Sequence, residues 1–495
     1  MEKNMHGKRR LIAFLAVLGM TAGVFYGSQG ELTAPVSAGE QNRSETEEAG
    51  EGSLFEGGKT GKKTLYFWYS DAALTDFIHS AAVAFGEENN VVVLPQLVSG
   101  SEYLEAINEA SLYSPQTPDA YLISNDSLGK AYLAGLADEI QDVAQVCDDE
   151  HFPQSALAAV TYQGRKVAYP FFFETSILLY NQTYLEEWAG QQARRALAEA
   201  SEDGPEESAG PEGGGILDEE ELAAQTAEYM RAAVPKTVED ILEVADTFDV
   251  PEGVEGVMKW DVSDIFYNSW FVGNYMVVGG DPGDDTGNIH INNPEAVRCL
   301  EVYQSLNQFF SMDAEGSGTG TVTYDSVIQD FLDGKMVFTI ATTDVLAKLA
   351  QAEQEEGFAY EYGVAPLPDV SRELRSRSLS VTSAIAVNGY SDQKELANRF
   401  AAYLAQDCAP NLYERTGKMP ANLAVYKIEE GLSMKAAAMQ TFLEEYAKGV
   451  PLPKMLETSN YWIQLEILFS KVWNGEDVAS LVQELSDQIL SQVGT

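Results

Sequence analysis

The sequence predicts an α/β protein with room for two domains, and three observations carry that expectation. The chain has 495 residues, 45% of them hydrophobic and 10% aromatic, which is enough to fill two large cores. Its first patterned stretch reads β-α-β. Thr64–Tyr69 is a continuous apolar and aromatic run expected as a buried strand, Leu74–Phe85 places apolar residues at helical spacing, and Asn90–Leu94 is expected as a second strand. A third run, Pro118–Ile123, repeats the strand pattern before a polar loop, Ser124–Ser127, and a helix ending near Leu136–Asp138. Parallel strands joined by helices leave their loops at the carboxyl edge of the sheet, where ligands of open α/β folds gather. Asp71, Asn125, Asp126 and Ser127 fall in such loops.

Ahead of this region, Lys3, Lys8, Arg9 and Arg10 precede an uncharged stretch, Leu11–Gln29, which is the layout of a secretory signal. Small residues at Val36–Ala38 suit cleavage and give a signal peptide over residues 1–38. The apolar run of about 17 residues is also long enough to stay as an uncleaved anchor. Residues 39–63, rich in Glu, Gly and Ser without apolar periodicity, are expected as a flexible acidic linker. The formal charge of -46, from 31 basic and 77 acidic residues, argues against nucleic acid and against docking on anionic lipid, since both partners are themselves negative. It suits a protein exported to an external medium.

Cys147, Cys299 and Cys408 are odd in number and far apart, so they form neither a disulfide framework nor a metal-ligand pattern and are expected as small buried hydrophobes. The four histidines show no zinc spacing, and Gly279–Gly287 fails the spacing of a calcium loop and is expected as a surface turn. No metal and no cofactor is expected.

Tyr169–Asn181 is the stretch around which the chain is organised. Its apolar run is rich in β-type residues, Pro170 excludes a helix at its start, and Glu174 stands inside it. A carboxylate there has to meet a cation, face a solvated cleft or accept hydrogen bonds from an arriving ligand. A structural ion pair at a strand end and a ligand cleft are both open on residue type alone.

The segment Tyr169-Pro170, Glu174, Leu179-Tyr180-Asn181 and Tyr184-Leu185 resembles the stretch with which maltose-type solute-binding proteins of ABC importers first cross between lobes. Further matches follow in order from about Thr64 to Val493. Pro118-Asp119, Gly129 and Gly135-Leu136 resemble the family's second ligand-loop element, which implies that Asp126 accepts hydroxyl hydrogen bonds from a sugar; capping of the following helix is the other use of Ser124–Ser127. Trp260–Met276, with Phe266, Tyr267 and Trp270, is similar to the family's aromatic face in the second lobe, where rings stack on pyranose C–H faces, although half of these aromatics could be core. Gly334-Lys335 with the strand to Ile340 resembles the element that delivers a ligand loop, here Thr342, Thr343 and Asp344 where maltose binders carry Gly-Pro-Trp. Tyr362–Pro368, Thr416–Ala421 and Ser459–Trp462 are also similar, and Trp462 falls on a sugar-stacking tryptophan. Near Ile123 maltose binders carry a tryptophan and, in place of Ser127, an arginine; no cysteine follows the signal for a lipid anchor.

After Tyr184 the pattern breaks. Ser201–Glu221 has nine acidic residues and no Lys or Arg, and residues 190–233 are expected as a solvated acidic insertion with a helix from Asp218 to Ala232. What the resemblance implies for the whole is an α/β, two-lobed periplasmic-binding-protein-like (type II) fold with a hinge and an interlobe ligand cleft. The N-terminal lobe is expected from 64–171 and 367–425, and the C-terminal lobe from 172–366 and 426–495. The implied function is capture of a carbohydrate by hinge closure and delivery to the membrane permease of an ABC importer, by a monomer outside the cytoplasmic membrane, with Asp71, Asn125, Asp126, Ser127, Glu174, Phe266, Tyr267, Trp270, Thr343, Asp344 and Trp462 at the ligand. A non-sugar solute, a ligand-presenting sensor subunit, and a glycoside hydrolase using Glu174 and Asp126 are the competing classes.

Overall fold

The computed structural model describes residues 62–100, 102–142, 144–202, 219–310, 322–355, 359–427 and 434–494. The expected signal peptide, almost all of the acidic linker, and residues 203–218 of the expected insertion lie outside the described residues.

Apolar runs too short for a helix become the strands of one curled sheet. In chain order they are β1 (Thr64–Tyr69), β2 (Val92–Leu97), β3 (Ala120–Ser124), β4 (Ala168–Asn181), β5 (Gly256–Met258), β6 (Met336–Thr342), β7 (Tyr362–Ala365), β8 (Leu379–Val387), β9 (Met419–Pro420) and β10 (Val450–Pro451). The order across the sheet is β2-β1-β3-β8-β4-β6-β5, with β7 and β9 also pairing β4 and β10 pairing β8. β1 lies parallel to β2 and β3, as the β-α-β pattern requires, with helix Thr75–Asn89 between β1 and β2. β2 runs on through Pro95 to Leu97, past its expected end, because an edge strand needs no N–H from proline on its open side. β8 begins at Leu379, four residues before Ser383, where its apolar pattern predicts a strand to Val387. Its buried hydroxyls hid it from a hydrophobicity reading, but they are satisfied: Thr382 Oγ1 is 2.7 Å from Tyr446 Oη.

β4 is 14 residues long and changes partners half-way. Ala168–Thr175 pairs antiparallel with β8, and Ser176–Tyr180 pairs antiparallel with β6. The changeover falls between Thr175 and Ser176, one residue past Glu174, whereas the first crossing was expected at Phe171. One core gathers Phe67, Tyr121, Phe171, Ile385 and Phe400 from the β8 side. The other gathers Trp260, Phe271, Tyr303, Phe338 and Trp473 from the β6 side. Helix Met434–Lys448, which follows the crossing expected near Val425, adds Phe442 and Tyr446 to the first core, and the chain enters the second only at Met455, past β10. All three cysteines are buried and free.

The expected insertion does not begin at Gly190. Helix Gln182–Glu202 runs straight through it and packs on helix Glu219–Ala233. Leu185, Ala189, Ala193 and Leu197 recur every four residues and form one buried stripe. Trp188 meets Tyr229 edge-on at 6.3 Å, and Arg195 reaches Thr247 and Asp249 at 2.7 and 2.6 Å. The acidic composition of Ser201–Glu221 obscured this stripe. Leu197→Ala is therefore expected to cost about 2–4 kcal/mol in urea unfolding, the usual range for a truncated core leucine; a cost near zero would return this helix to a solvated loop.

Candidate ligand-binding site

Four charged side chains from four separate segments meet at the changeover of β4. Asp71 follows β1 and caps the turn Ala72–Leu74 by accepting the Ala73 N–H at 2.9 Å. Glu174 comes from β4 itself. Asp344 follows β6, just ahead of helix Val345–Gln354. Lys418 follows Gly417, whose left-handed φ of 71° ends helix Leu412–Thr416 and reverses the chain into β9.

Lys418 is the hub. Its Nζ lies 2.9 Å from Asp71 Oδ2 and 3.7 Å from Glu174 Oε1, and 5.5 Å from the centroid of Phe172. Burial alone would lower its pKa, but Glu174, Asp71 and Asp344 together hold it above the usual lysine range. For Glu174 burial is the larger influence and raises its pKa, with Lys418 pulling it down and Asp344 and Asp71 pushing it up. The Glu174 side chain is still 30% exposed, so its oxygens retain accepting directions toward solvent.

Asp344 opens a second polar tract. It accepts from Tyr324 Oη at 2.8 Å and Thr342 Oγ1 at 2.5 Å and pairs with Lys348 at 3.0 Å. The Tyr324 ring is engaged by the Lys348 ammonium at 4.6 Å and by Tyr267, stacked at 4.9 Å. The tract continues through Asp261, which accepts the Tyr324 N–H at 3.0 Å, to Asp264, which caps the turn Ile265–Tyr267. Helix Tyr461–Trp473 packs against that turn and carries Trp462, half-buried, one turn before Glu466. Burial, with Asp261 adding, pushes Asp264 up to about 6; burial, with Asp264 and Asp261 adding, pushes Glu466 up to about 7. The arrangement offers hydroxyl-accepting carboxylates, one neutralising ammonium and one partly open aromatic plane.

A family model for bacterial extracellular solute-binding proteins matches residues 80–441. The chain belongs to that family. Among solved structures, this solute-binding protein is similar to a cyclo/maltodextrin-binding protein complexed with maltotetraose, at 18% identity and a TM-score of 0.67 over 88% of this chain and 99% of that one. It is also similar to an extracellular solute-binding protein from Staphylococcus aureus in complex with maltose, at 17% identity and a TM-score of 0.64, covering 88% and 99%. A maltotriose-binding protein from Thermus thermophilus, bound with maltotriose, aligns at 18% identity and a TM-score of 0.59, covering 86% and 99%. These likenesses establish the two-lobed fold. No protein of curated function matches the chain.

Of the residues expected at the ligand, Asp71, Glu174 and Asp344 are brought together. Asp126 and Ser127 leave the same sheet edge as Asp71, because β1 and β3 are adjacent and parallel; Asp126 is exposed and its carboxylate makes no hydrogen bond among the described residues, so it does not cap the helix. Several expectations need correction. Asn125 is fully buried, accepting the Thr382 N–H at 2.9 Å and donating to Leu452 O at 3.2 Å, so its amide is spent on the fold. Trp270 is core: its Nε1 donates to Tyr267 O and its ring stacks on Phe271 at 3.8 Å. Phe266, Tyr267 and Thr343 are buried as well. Sequence reasoning missed Lys418. A buried carboxylate needs a counter-ion, and a lysine set between a helix-ending glycine and a strand was the signal for it.

Two outcomes follow for stability. Lys418→Met strands two carboxylates and is expected to cost about 2–4 kcal/mol in urea at pH 8, with part regained toward pH 5 as Glu174, whose folded pKa is raised, takes up a proton. Lys418→Met with Glu174→Gln should regain the Glu174 share at both pH values and leave the Asp71 share. Glu466 also has a raised folded pKa, so its unfavourable contribution is absent below its unfolded value and grows as pH rises through about 7. Glu466→Gln should raise the melting temperature at pH 8, by no more than about 3 kcal/mol in stability, and leave it unchanged at pH 4; an equal gain at both would assign the effect to packing.

Proposed function

We propose that this chain captures a carbohydrate in a cleft between its lobes and hands it to the permease of an ABC importer from outside the cytoplasmic membrane, as a binder and not an enzyme. The observation that carries this reading is the meeting of Asp71, Glu174, Lys418 and Asp344 where β4 passes from one partner strand to the other, with Asp126 on the same sheet edge and Trp462 beyond Asp344. The first lobe is taken as β1–β3, β8 and β9 with the first half of β4, and the second as β5–β7 with the second half. The connections at Thr175–Ser176, near Ser378 and over residues 450–455 then serve as the hinge. Ionised carboxylates accept from vicinal hydroxyls, and a tryptophan face suits a pyranose ring. Similar structures bound to maltose, maltotriose and maltotetraose supply a chemical precedent.

A second reading, a non-sugar solute, is favoured by one observation. Tyr267 and Trp270 are spent in packing, and the two half-buried rings, Tyr324 and Trp462, are each engaged by neighbours, Trp462 by Tyr461 at 5.0 Å, so few stacking faces are left for a sugar. Thermal-shift screening across maltodextrins, other oligosaccharides, monosaccharides, polyols and peptides separates the two, since a ligand of the native state raises the melting temperature. With the best sugar, Asp126→Ala should weaken calorimetric affinity by about 1.5 to 3 kcal/mol, the range for charged hydrogen bonds, and leave the ligand-free melting temperature unchanged. Stabilisation by peptides and by no sugar would overturn the carbohydrate reading.

A further inference from the structure

Lys454 is a buried ammonium that makes no ion pair among the described residues, on the segment leading from β10 to the helix of Trp462. It is 1% exposed. Its three N–H groups meet three backbone carbonyls, Ala158 O at 2.6 Å, Ala159 O at 3.2 Å and Thr161 O at 2.5 Å, at the carboxyl end of helix Gln154–Ala159, where carbonyls lack helical partners. The main chain of the same residue faces other elements. Its N–H donates to Gly283 O at 2.7 Å, and its carbonyl oxygen packs so closely on Gly129 that a Cβ there would lie 2.2 Å away.

These contacts belong to different bodies. Ala156 and Leu157 of helix Gln154–Ala159 lie in the first core, whereas Gly283 sits in the turn between Val278 and Ile289, both in the second. Filling the space needs no lysine, since methionine has a similar apolar stem. Satisfying three carbonyls at one point does need it.

A residue bonded to two bodies stays bonded while they rotate only if it lies close to the rotation axis, because hydrogen bonds tolerate only a few tenths of an ångström of stretch. We infer that Lys454 is the pivot pin of the third crossing: it remains fastened to both lobes through opening and closing, so that the helix of Trp462 returns to the same place over the Glu174 site. This rests on the hinged-capture reading proposed above.

The test uses the full chain with dyes at Tyr113→Cys and Phe309→Cys, exposed positions on the two sides of the molecule, the native cysteines being buried. Single-molecule energy transfer then reports the interlobe distance. Without ligand, Lys454→Met should broaden the distance distribution at least twofold relative to the parent, and Lys454→Gln, which keeps two donors, should broaden it less. Distributions as narrow as the parent's, whatever happens to the melting temperature, would reduce Lys454 to a core group and overturn the inference. If Lys454→Met does not fold, Lys454→Gln decides alone in the same way. Adding maltotetraose to the parent separates the premise from the pin: a parent distance unmoved by any solute that binds would sink hinged capture, while the ligand-free comparison still judges Lys454.

Discussion

A strand that hydrogen-bonds to one neighbour along its first half and to another along its second has to hold its own geometry across the change, because each neighbour supports only one side of it. β4 meets this demand with sequence: aromatic and β-branched residues on both sides, and burial of nearly every position from Ala168 to Asn181. Glu174 and Tyr180 are the exceptions, and Glu174 is half-buried at the last position before the change but one. Its charge keeps water at the one point where the two halves could otherwise seal against each other. Lys418 makes that charge tolerable without removing it from solvent.

The same logic recurs in a chain with 77 acidic and 31 basic residues, where cations are scarce and their placement is informative. Lys259 and Lys335 both serve Asp330, at 2.5 and 3.0 Å, beside β6. Lys348 bridges Asp325 and Asp344. Around Asp261, Asp264 and Glu466 no lysine or arginine makes an ion pair among the described residues; burial raises all three carboxyl groups, and neighbouring carboxylates add to it for Asp264 and Glu466. Lys418 thus offsets the carboxylates at the changeover of β4, while at Asp261, Asp264 and Glu466 burial raises the proton affinity instead.

Much of the fold was legible because its strands are long apolar runs and its first three follow the β-α-β rule; Thr64–Tyr69 is found where the pattern put it. What was not legible depends on partners distant in the chain. The hydroxyl-rich start of β8 is unremarkable until Tyr446 is placed beside Thr382. Helix Gln182–Glu202 was obscured by a glycine and by acidic residues nearby, although its four-residue stripe was present to be counted. For the site, residue type identified Glu174 as needing a partner but could not say that Lys418, 244 positions away by numbering, supplies it. Asn125 and Asp126 are adjacent and chemically alike, and only the bulge of packing around Thr382 decides that one faces inward and the other outward.

Neutralisation in advance bears on how closure can be driven. Moving a hinge from mostly open to mostly closed takes a differential affinity of about 5.5 kcal/mol for a shift from 1:99 to 99:1. A solute that had to desolvate an unpaired Glu174 would lose much of that. With Lys418 already in place, Glu174 keeps accepting directions toward solvent and Asp126 stays exposed, so both can accept hydroxyls, each such bond contributing about 1.5 to 3 kcal/mol. Stacking on Trp462 adds about 0.5 to 1.5 kcal/mol. On the proposed reading of hinged capture, two such bonds and one stacked ring reach the required size, and they favour closure only where a solute makes them to both lobes at once.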